Sequence, residues 1–193
     1  FGSNLGRLAD AHDVAALSTV ISPELAERLC CSIKNSSVAT ALNWLEQVGM
    51  SSKLSKKVVD YWGGRTRKQV EANPYYLLSF EANWKRVDGF ARARMKVARD
   101  DPRRFVGAIE QSLYDGMALG HTCLPIPEVR KRVANLLSDH KRPDWKLADA
   151  ALAMTQSNPA ALGCLPFKVL GDRIQVSGLN VIETYVAERI LQI

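Results

Sequence analysis

The fold is decided by the stretch Val48-Gly49-Met50-Ser51-Ser52-Lys53-Leu54-Ser55-Lys56-Lys57. Gly49 is typical of the residue that ends a helix, because glycine adopts the left-handed conformation without steric cost. Met50 is apolar and is expected to point back into a core. Ser51 or Ser52 is a favoured N-cap for a following helix. The stretch therefore predicts two helices joined by a tight turn.

The start of the second helix offers a binding place for an anion. Its first N–H groups have no acceptor within the helix, and the helix dipole is positive at this end. A phosphate group can bind there, and Lys53, Lys56 and Lys57 are close enough in sequence to neutralise its charge. The spacing indicates a helix-hairpin-helix motif, although a Gly-apolar-Ser turn also joins ordinary helices.

The helix after the turn has an apolar stripe formed by Leu54, Val58, Tyr61 and Trp62. Residues at this spacing lie on one side of a helix, so the stripe is expected to face the core. The three lysines alternate with the stripe and are expected to face water.

The charge of the chain is concentrated around this stretch. The 193 residues carry a net charge of +6, from 26 basic and 20 acidic side chains. Between Lys53 and Arg104 there are 14 Lys or Arg and 6 Asp or Glu, whereas the remaining residues include 12 basic and 14 acidic side chains. Such a concentration indicates a surface for a polyanion, of which nucleic acid is the simplest. A solvated, lysine-rich helical surface is the alternative.

Cap signals and apolar spacing predict helices over most of the chain. Helix starts are indicated at Ser22-Pro23, Ser36 or Ser37, Asn73-Pro74, Asp101-Pro102 and Pro127. A β-hairpin is predicted over residues 165–177, and its turn is Gly171-Asp172. The predicted fold class is all-α, with a tandem helix-hairpin-helix bundle over residues 1–100 and a smaller helical part over residues 101–193. A winged helix is one arrangement that residues 101–193 can adopt.

Missing motifs exclude several classes of function. A Gly-Lys pair does not occur in the sequence, which excludes a P-loop for nucleotide phosphates. The four cysteines form no C-x-x-C pair and the three histidines lie far apart, so we expect no metal site. We also expect no catalytic residue and no cofactor in this chain. No apolar run reaches the about 18 residues of a membrane span.

The beginning of the chain shows neither a secretory signal nor an initiating methionine. We therefore expect a segment of a longer cytoplasmic protein with no membrane contact.

An ordered series of motifs extends along the chain. Its members are Leu45-Glu46-Gln47-Val48-Gly49-Met50-Ser51, Val58-Val59-Asp60-Tyr61-Trp62-Gly63, Asn73-Pro74-Tyr75-Tyr76-Leu77, Asp101-Pro102-Arg103-Arg104 and Gly120-His121-Thr122-Cys123-Leu124-Pro125. In this order, the motifs resemble the helical N-terminal region of RecD-like superfamily-one DNA helicases, which are relatives of the exodeoxyribonuclease V alpha subunit. The resemblance covers about residues 18 to 193.

The resemblance implies a sequence-independent DNA-binding accessory domain of an ATP-dependent 5′-to-3′ helicase that acts in DNA repair and recombination. It implies that ATP and Mg²⁺ bind only to the helicase motor, which we expect outside this chain. The expected partner is DNA, contacted through its phosphate backbone. A partner protein subunit is the other partner that the resemblance allows.

The expected DNA contacts come from three groups of residues. The turn is formed by Gly49, Met50 and Ser51, and the positive charge next to it comes from Lys53, Lys56 and Lys57. The patch is extended by Lys85, Arg86, Arg92 and Arg94, and Trp84 is a candidate for stacking on bases.

The second hairpin departs from the family pattern. The family has Gly-apolar-Gly where this sequence has Glu81-Ala82-Asn83. A carboxylate at this place is expected to repel a phosphate, so the first hairpin is predicted to carry most of the affinity for DNA. In the alternative interpretation, Glu81 caps the helix that contains Trp84 and Val87.

Two other functions remain open from the sequence. A basic helical surface binds an acidic protein as readily as DNA, so the chain is alternatively a protein-docking module that contacts a partner subunit. The second alternative is a RecD-like segment of a relaxase or nuclease from a conjugative element.

Overall fold

The computed structural model of the chain describes residues 14–139, 142–157 and 165–191. The chain divides into two compact units, residues 1–81 and residues 82–193. The division therefore comes before the helix that begins at Trp84, whereas the sequence placed it near residue 100. The reason is that this helix finds its partners in the second unit. No helix within the described residues has both the length and the apolar character needed to cross a membrane.

The first unit consists of α-helices and short 3₁₀ helices. The α-helices are α1 (Val14–Leu17), α2 (Pro23–Gln47), α3 (Ser52–Trp62) and α4 (Thr66–Ala72), and the 3₁₀ helices are η1 (Gly63–Arg65) and η2 (Pro74–Phe80). The predicted starts at Ser22 and Asn73 are confirmed, because Ser22 Oγ accepts a hydrogen bond from the N–H of Leu25 and Asn73 Oδ1 accepts one from that of Tyr75.

Helix α2 corrects one prediction from the sequence. A new helix was expected at Ser36 or Ser37, but a single helix continues from Pro23 to Gln47. No glycine or further proline interrupts this stretch, and Thr40 Oγ1 donates to the Ser36 carbonyl within the helix, at 2.9 Å. Without a residue that breaks the helix, serines alone do not end it.

The core of the first unit is formed by apolar side chains of α2, α3, α4 and η2. Its members include Leu45, Met50, Leu54, Val58, Val70, Tyr75, Leu77 and Leu78, all of which are buried. Helix α2 also approaches η1 closely, since a Cβ atom at Gly64 would lie 2.5 Å from Ser37 Oγ. A larger residue than glycine at position 64 is therefore excluded unless Ser37 moves.

The second unit combines helices with a small sheet. Its elements are α5 (Trp84–Arg94), α6 (Pro102–Met117), β1 (Cys123–Pro125), α7 (Ile126–Leu136), α8 (Trp145–Ser157), β2 (Phe167–Leu170), β3 (Arg173–Val176) and α9 (Ser177–Ile190). The sheet is antiparallel with the strand order β1-β3-β2, and Leu124 pairs with Ile174. The hairpin predicted over residues 165–177 is confirmed, with Gly171 in the left-handed region at its turn.

The order of elements from α6 to β3 is that of a winged helix. Helix α6 packs against α7 and α8, and strand β1 joins α6 to α7 and pairs with the hairpin strand β3. The sequence left this arrangement open. The all-α class is confirmed, because the sheet is small and helices make up most of both units.

A buried ion pair holds α5 to the rest of the second unit. Arg104 in α6 has no exposed surface, and its guanidinium forms two hydrogen bonds with the Asp88 carboxylate in α5, at 2.8 and 3.1 Å. Arg104 also donates to the Arg99 carbonyl at 2.9 Å. The Trp84 side chain adds a bond from Nε1 to the Leu136 carbonyl at 3.0 Å. These contacts explain why α5 belongs to the second unit.

Candidate nucleic-acid interface

The first turn has the backbone geometry that the sequence predicts. Gly49 has a φ of +91°, which is a left-handed conformation that favours glycine. The N–H of Gly49 donates to the Glu46 carbonyl and the N–H of Met50 donates to the Leu45 carbonyl, so α2 ends in a regular hydrogen-bonded turn. The Met50 side chain is buried. The turn is therefore fixed by its own hydrogen bonds and by the core.

Helix α3 begins with N–H groups that are available to a ligand. Ser51 Oγ accepts a hydrogen bond from the N–H of Leu54 at 3.4 Å. The N–H groups of Ser52 and Lys53 find no acceptor among the described residues. Lys53 is exposed at this helix start, so an anion bound to the N–H groups lies next to a positive charge.

The three predicted lysines are not equivalent. Lys53 and Lys56 are exposed, and within the described part of the chain neither forms a direct ion pair, although the charge of Lys53 acts on Glu81. Lys57 is also exposed, but its Nζ lies 2.7 Å from Glu81 Oε2. Lys53 and Lys56 are therefore available for phosphate, whereas Lys57 already binds a carboxylate.

The second turn, Glu81-Ala82-Asn83, has the same order of structural features as the first turn. Glu81 has a φ of +66°, Ala82 is buried, and Asn83 Oδ1 accepts a hydrogen bond from the N–H of Lys85 at 3.0 Å. The left-handed residue, the buried apolar residue and the N-cap therefore follow in the same order as Gly49, Met50 and Ser51. The interpretation of Glu81 as the cap of α5 is wrong, because Asn83 caps that helix.

The Glu81 carboxylate is held by the lysines of α3. The hydrogen bond from Lys57 is the main reason why the pKa of Glu81 lies below its ordinary value, followed by the charge of Lys57 and then that of Lys53. The ion pair is therefore present at neutral pH and is lost only as the pH falls through this lowered pKa. Glu81 competes with a phosphate for the Lys57 ammonium group.

Of the basic residues in the second unit that were predicted to contact DNA, only some lie close together. Lys85 and Arg92 line one open groove of α5, together with Lys96. The guanidinium of Arg92 is bound by the Asp139 carboxylate, which limits its use for phosphate. Arg86 and Arg94 are exposed but do not line this groove.

Trp84 is buried, whereas stacking on a base requires an exposed ring. Only 7% of its surface is exposed, and its Nε1 donates to the Leu136 carbonyl. The ring offers no free face to a base in this conformation, so its geometry gives it a structural role in the second unit.

Two features of the interface were missed in the sequence. Lys96 ends α5 in a left-handed conformation, with a φ of +53°, and it adds a cation to the groove. Tyr61 was assigned to the apolar stripe of α3, but 72% of its surface is exposed. The sequence predicted a helix from about Lys85 to Arg99, so Lys96 was expected inside it, and Tyr61 stood at the edge of the apolar stripe.

The start of α3 and the groove of α5 both have groups that can bind anions. They do not assemble a metal centre, since no group of three His, Cys, Asp or Glu side chains among the described residues is suited to hold an ion.

Residues 34–123 match the family model of the ATP-dependent RecD2 DNA helicase HHH domain, where HHH denotes helix-hairpin-helix. Over these residues the chain is similar to the RecD2 HHH domain. The matched segment includes both turns and ends at Cys123, and it covers less than half of the chain. The resemblance found in the sequence motifs is thereby confirmed for this segment, and the match supports a DNA-binding accessory role in a helicase. No curated protein matches the chain significantly.

Replacing Glu81 with Gly in this chain is expected to raise the affinity for DNA about two- to fivefold. The change removes the carboxylate that competes for Lys57. It also places glycine at a left-handed φ, so the melting temperature is expected to stay the same or to rise. Fluorescence anisotropy with a labelled duplex and a thermal melt check both expectations.

The variant Glu81→Gln separates charge from backbone conformation. It removes the charge and keeps the side chain, so it is expected to match Glu81→Gly in affinity without the gain in melting temperature. Weaker binding by both variants would show that the carboxylate assists DNA binding instead of opposing it.

Proposed function

We propose that this chain binds the phosphate backbone of DNA, without sequence preference, through its first hairpin. The observation that carries the proposal is the start of α3, where N–H groups that find no acceptor among the described residues lie beside Lys53 and the exposed Lys56. Backbone N–H groups and a helix dipole recognise a phosphate of any nucleotide, and phosphate contacts carry no sequence information directly.

The winged helix of the second unit supports the absence of sequence preference. In such folds the helix that corresponds to α8 reads bases in the major groove. The exposed side chains of α8 include Trp145, Lys146, Asp149 and two alanines, Ala150 and Ala153, and Asp149 is bound by Arg130. The pKa of Asp149 is lowered chiefly by its hydrogen bond from Arg130. Among the described side chains, the exposed side of α8 therefore offers few hydrogen-bond donors to the edges of bases.

A salt titration tests the proposal. If about three or four phosphates are neutralised, the logarithm of the affinity for duplex DNA should fall with the logarithm of the salt concentration, with a slope of about −2 to −4. Several unrelated duplexes should give the same affinity. A flat salt response, or tight binding to one sequence only, would contradict the proposal.

The same proposal makes this domain a part of a longer protein that acts as a helicase. We place this domain next to the motor of an ATP-dependent 5′-to-3′ DNA helicase that works in repair and recombination in the cytoplasm, where the motor binds ATP and Mg²⁺. The purified chain is accordingly expected to show no ATP hydrolysis and no DNA cleavage. ATP turnover by highly purified protein would reveal a site that this assignment lacks.

A second candidate function is docking to a partner protein. Helix α9 carries a row of exposed apolar side chains, namely Val181, Ile182, Tyr185, Val186 and Ile190. Contiguous apolar surface of this kind is typical of protein interfaces. If docking is the main function, Ile182→Glu should abolish association with the partner subunit while the affinity for DNA stays negligible. A normal salt-dependent affinity for DNA in this variant favours the first proposal.

A further inference from the structure

We propose that four aromatic residues of the first unit form a stacking site for unpaired bases, so that this domain binds single-stranded DNA more tightly than duplex DNA. The ring cluster consists of Tyr61 and Trp62 at the end of α3 and Tyr76 and Phe80 in η2. This inference rests on the proposed DNA-binding function and adds the form of the DNA.

The geometry of the ring cluster is compact. The Trp62 ring lies 5.0 Å from that of Phe80 in an edge-on contact, 5.8 Å from that of Tyr61 and 6.2 Å from that of Tyr76, measured between centroids. The rings of Tyr61 and Phe80 are 5.6 Å apart. In an edge-to-face contact the edge of one ring points at the face of the other, so each such contact covers one face of only one of the two rings.

The exposure of the ring cluster is uneven. Tyr61 is largely exposed and 45% of Tyr76 is exposed, while Trp62 and Phe80 are half-buried beneath them. Two supporting rings therefore hold two outer rings at the surface. Large exposed aromatic side chains cost free energy in water, so a ligand that covers them is favoured.

The charges around the ring cluster select the ligand. Lys53, Lys57 and Tyr61 recur every four residues of α3, so the ring cluster lies on the same flank of the helix as two lysines. Residues 53–68 carry six Lys or Arg and a single acidic residue, Asp60. Two of these cations already bind a carboxylate, because Lys57 pairs with Glu81 and Arg67 pairs with Glu71.

A base in a duplex has both faces covered by its neighbours, whereas an unpaired base has faces free to stack on an aromatic ring. Lysines on one side of α3, followed by exposed aromatic rings, therefore fit a single strand. The phosphates of the strand bind the lysines, and its bases cover the tyrosines. An acidic protein would satisfy the lysines but has no general need for ring faces. The combination favours single-stranded DNA as the ligand.

The test compares three ligands of equal length: an oligothymidine strand, the same backbone with abasic sites, and a duplex. For the whole chain, Tyr61→Ala is expected to lower the affinity for oligothymidine about tenfold. The affinities for the abasic strand and for the duplex should change less than about twofold, because these ligands offer no free base. Tyr76→Ala should act in the same direction.

Two control variants separate stacking from loss of structure. Tyr61→Phe keeps the ring and should restore normal affinity for oligothymidine. Leu119→Ala removes an apolar side chain that is 67% exposed in the second unit, outside the ring cluster, and should leave all three affinities unchanged. A 2-aminopurine base within the oligothymidine should lose fluorescence on binding the wild type, and less on binding Tyr61→Ala.

Each outcome has a distinct meaning. If Tyr61→Ala and Tyr76→Ala bind oligothymidine normally while lysine variants of the first hairpin bind poorly, the stacking site is refuted and the proposed DNA-binding function stands. If the tyrosine variants lose affinity for all three ligands equally, the rings are structural and stacking is refuted too. If the wild type binds none of the ligands, the proposed function itself fails.

Discussion

The triple variant Lys53→Ala/Lys56→Ala/Lys57→Ala is expected to bind DNA about 10- to 100-fold more weakly near physiological salt, and equally so for every sequence. The salt slope should flatten by about one unit for each phosphate contact that is lost. Most of the loss should come from Lys53 and Lys56, because Lys57 already binds Glu81. Anisotropy titrations at several salt concentrations measure both quantities.

The fold of the triple variant should be preserved, since all three side chains are exposed. A matched control is Lys131→Ala/Lys168→Ala, which removes exposed charges from the second unit. This control should change the affinity much less per lysine. An equal loss per lysine in both variants would mean that overall charge, and not the first hairpin, determines binding.

Replacing Arg104 with Ala is expected to destabilise the second unit by about 3–5 kcal/mol, which is the typical cost of removing one partner of a buried ion pair. Arg104 has no exposed surface, and its loss leaves the Asp88 carboxylate buried without its cation. The Arg99 carbonyl loses a donor as well. Urea denaturation followed by circular dichroism gives the free energy of unfolding.

The neighbouring arginine provides the control for this prediction. Arg103 pairs with Asp101 near the surface, where its hydrogen bond is the main reason why the pKa of Asp101 is lowered. Arg103→Ala should therefore cost less than about 1 kcal/mol. The double variant Asp88→Leu/Arg104→Met should lose less stability than Arg104→Ala, because it leaves no unpaired buried charge. If Arg103→Ala and Arg104→Ala cost the same, the buried pair does not hold α5.

The local turns of this protein could be predicted from its sequence. Gly49 and Ser51 determine where one helix ends and the next begins through backbone conformation and capping, which act within a few residues. For the same reason, Gly171 at a hairpin turn and Asn73-Pro74 at a helix start were recognised. The motif order likewise identified the helix-hairpin-helix region that the family match confirms.

The pairing of charges could not be predicted, because it depends on residues that are distant in sequence. Arg92 was predicted to contact DNA, yet the carboxylate that binds it belongs to Asp139. Arg104 contributed to the count of basic residues but is buried against Asp88. Charge counting along a sequence treats each cation as free, and only the folded chain shows which of them are neutralised.

The helical class, the first turn and the concentration of positive charge could be read from the sequence, because propensity, capping and composition are local properties. The folded chain was needed to show that α5 belongs to the second unit, that Trp84 is buried and that Tyr61 is exposed. A tyrosine at the edge of an apolar stripe faces either the core or the solvent, according to how far the neighbouring element extends. Here η2 places Phe80 against Tyr61 and Tyr76 against Trp62 at the end of α3, and most of Tyr61 stays exposed.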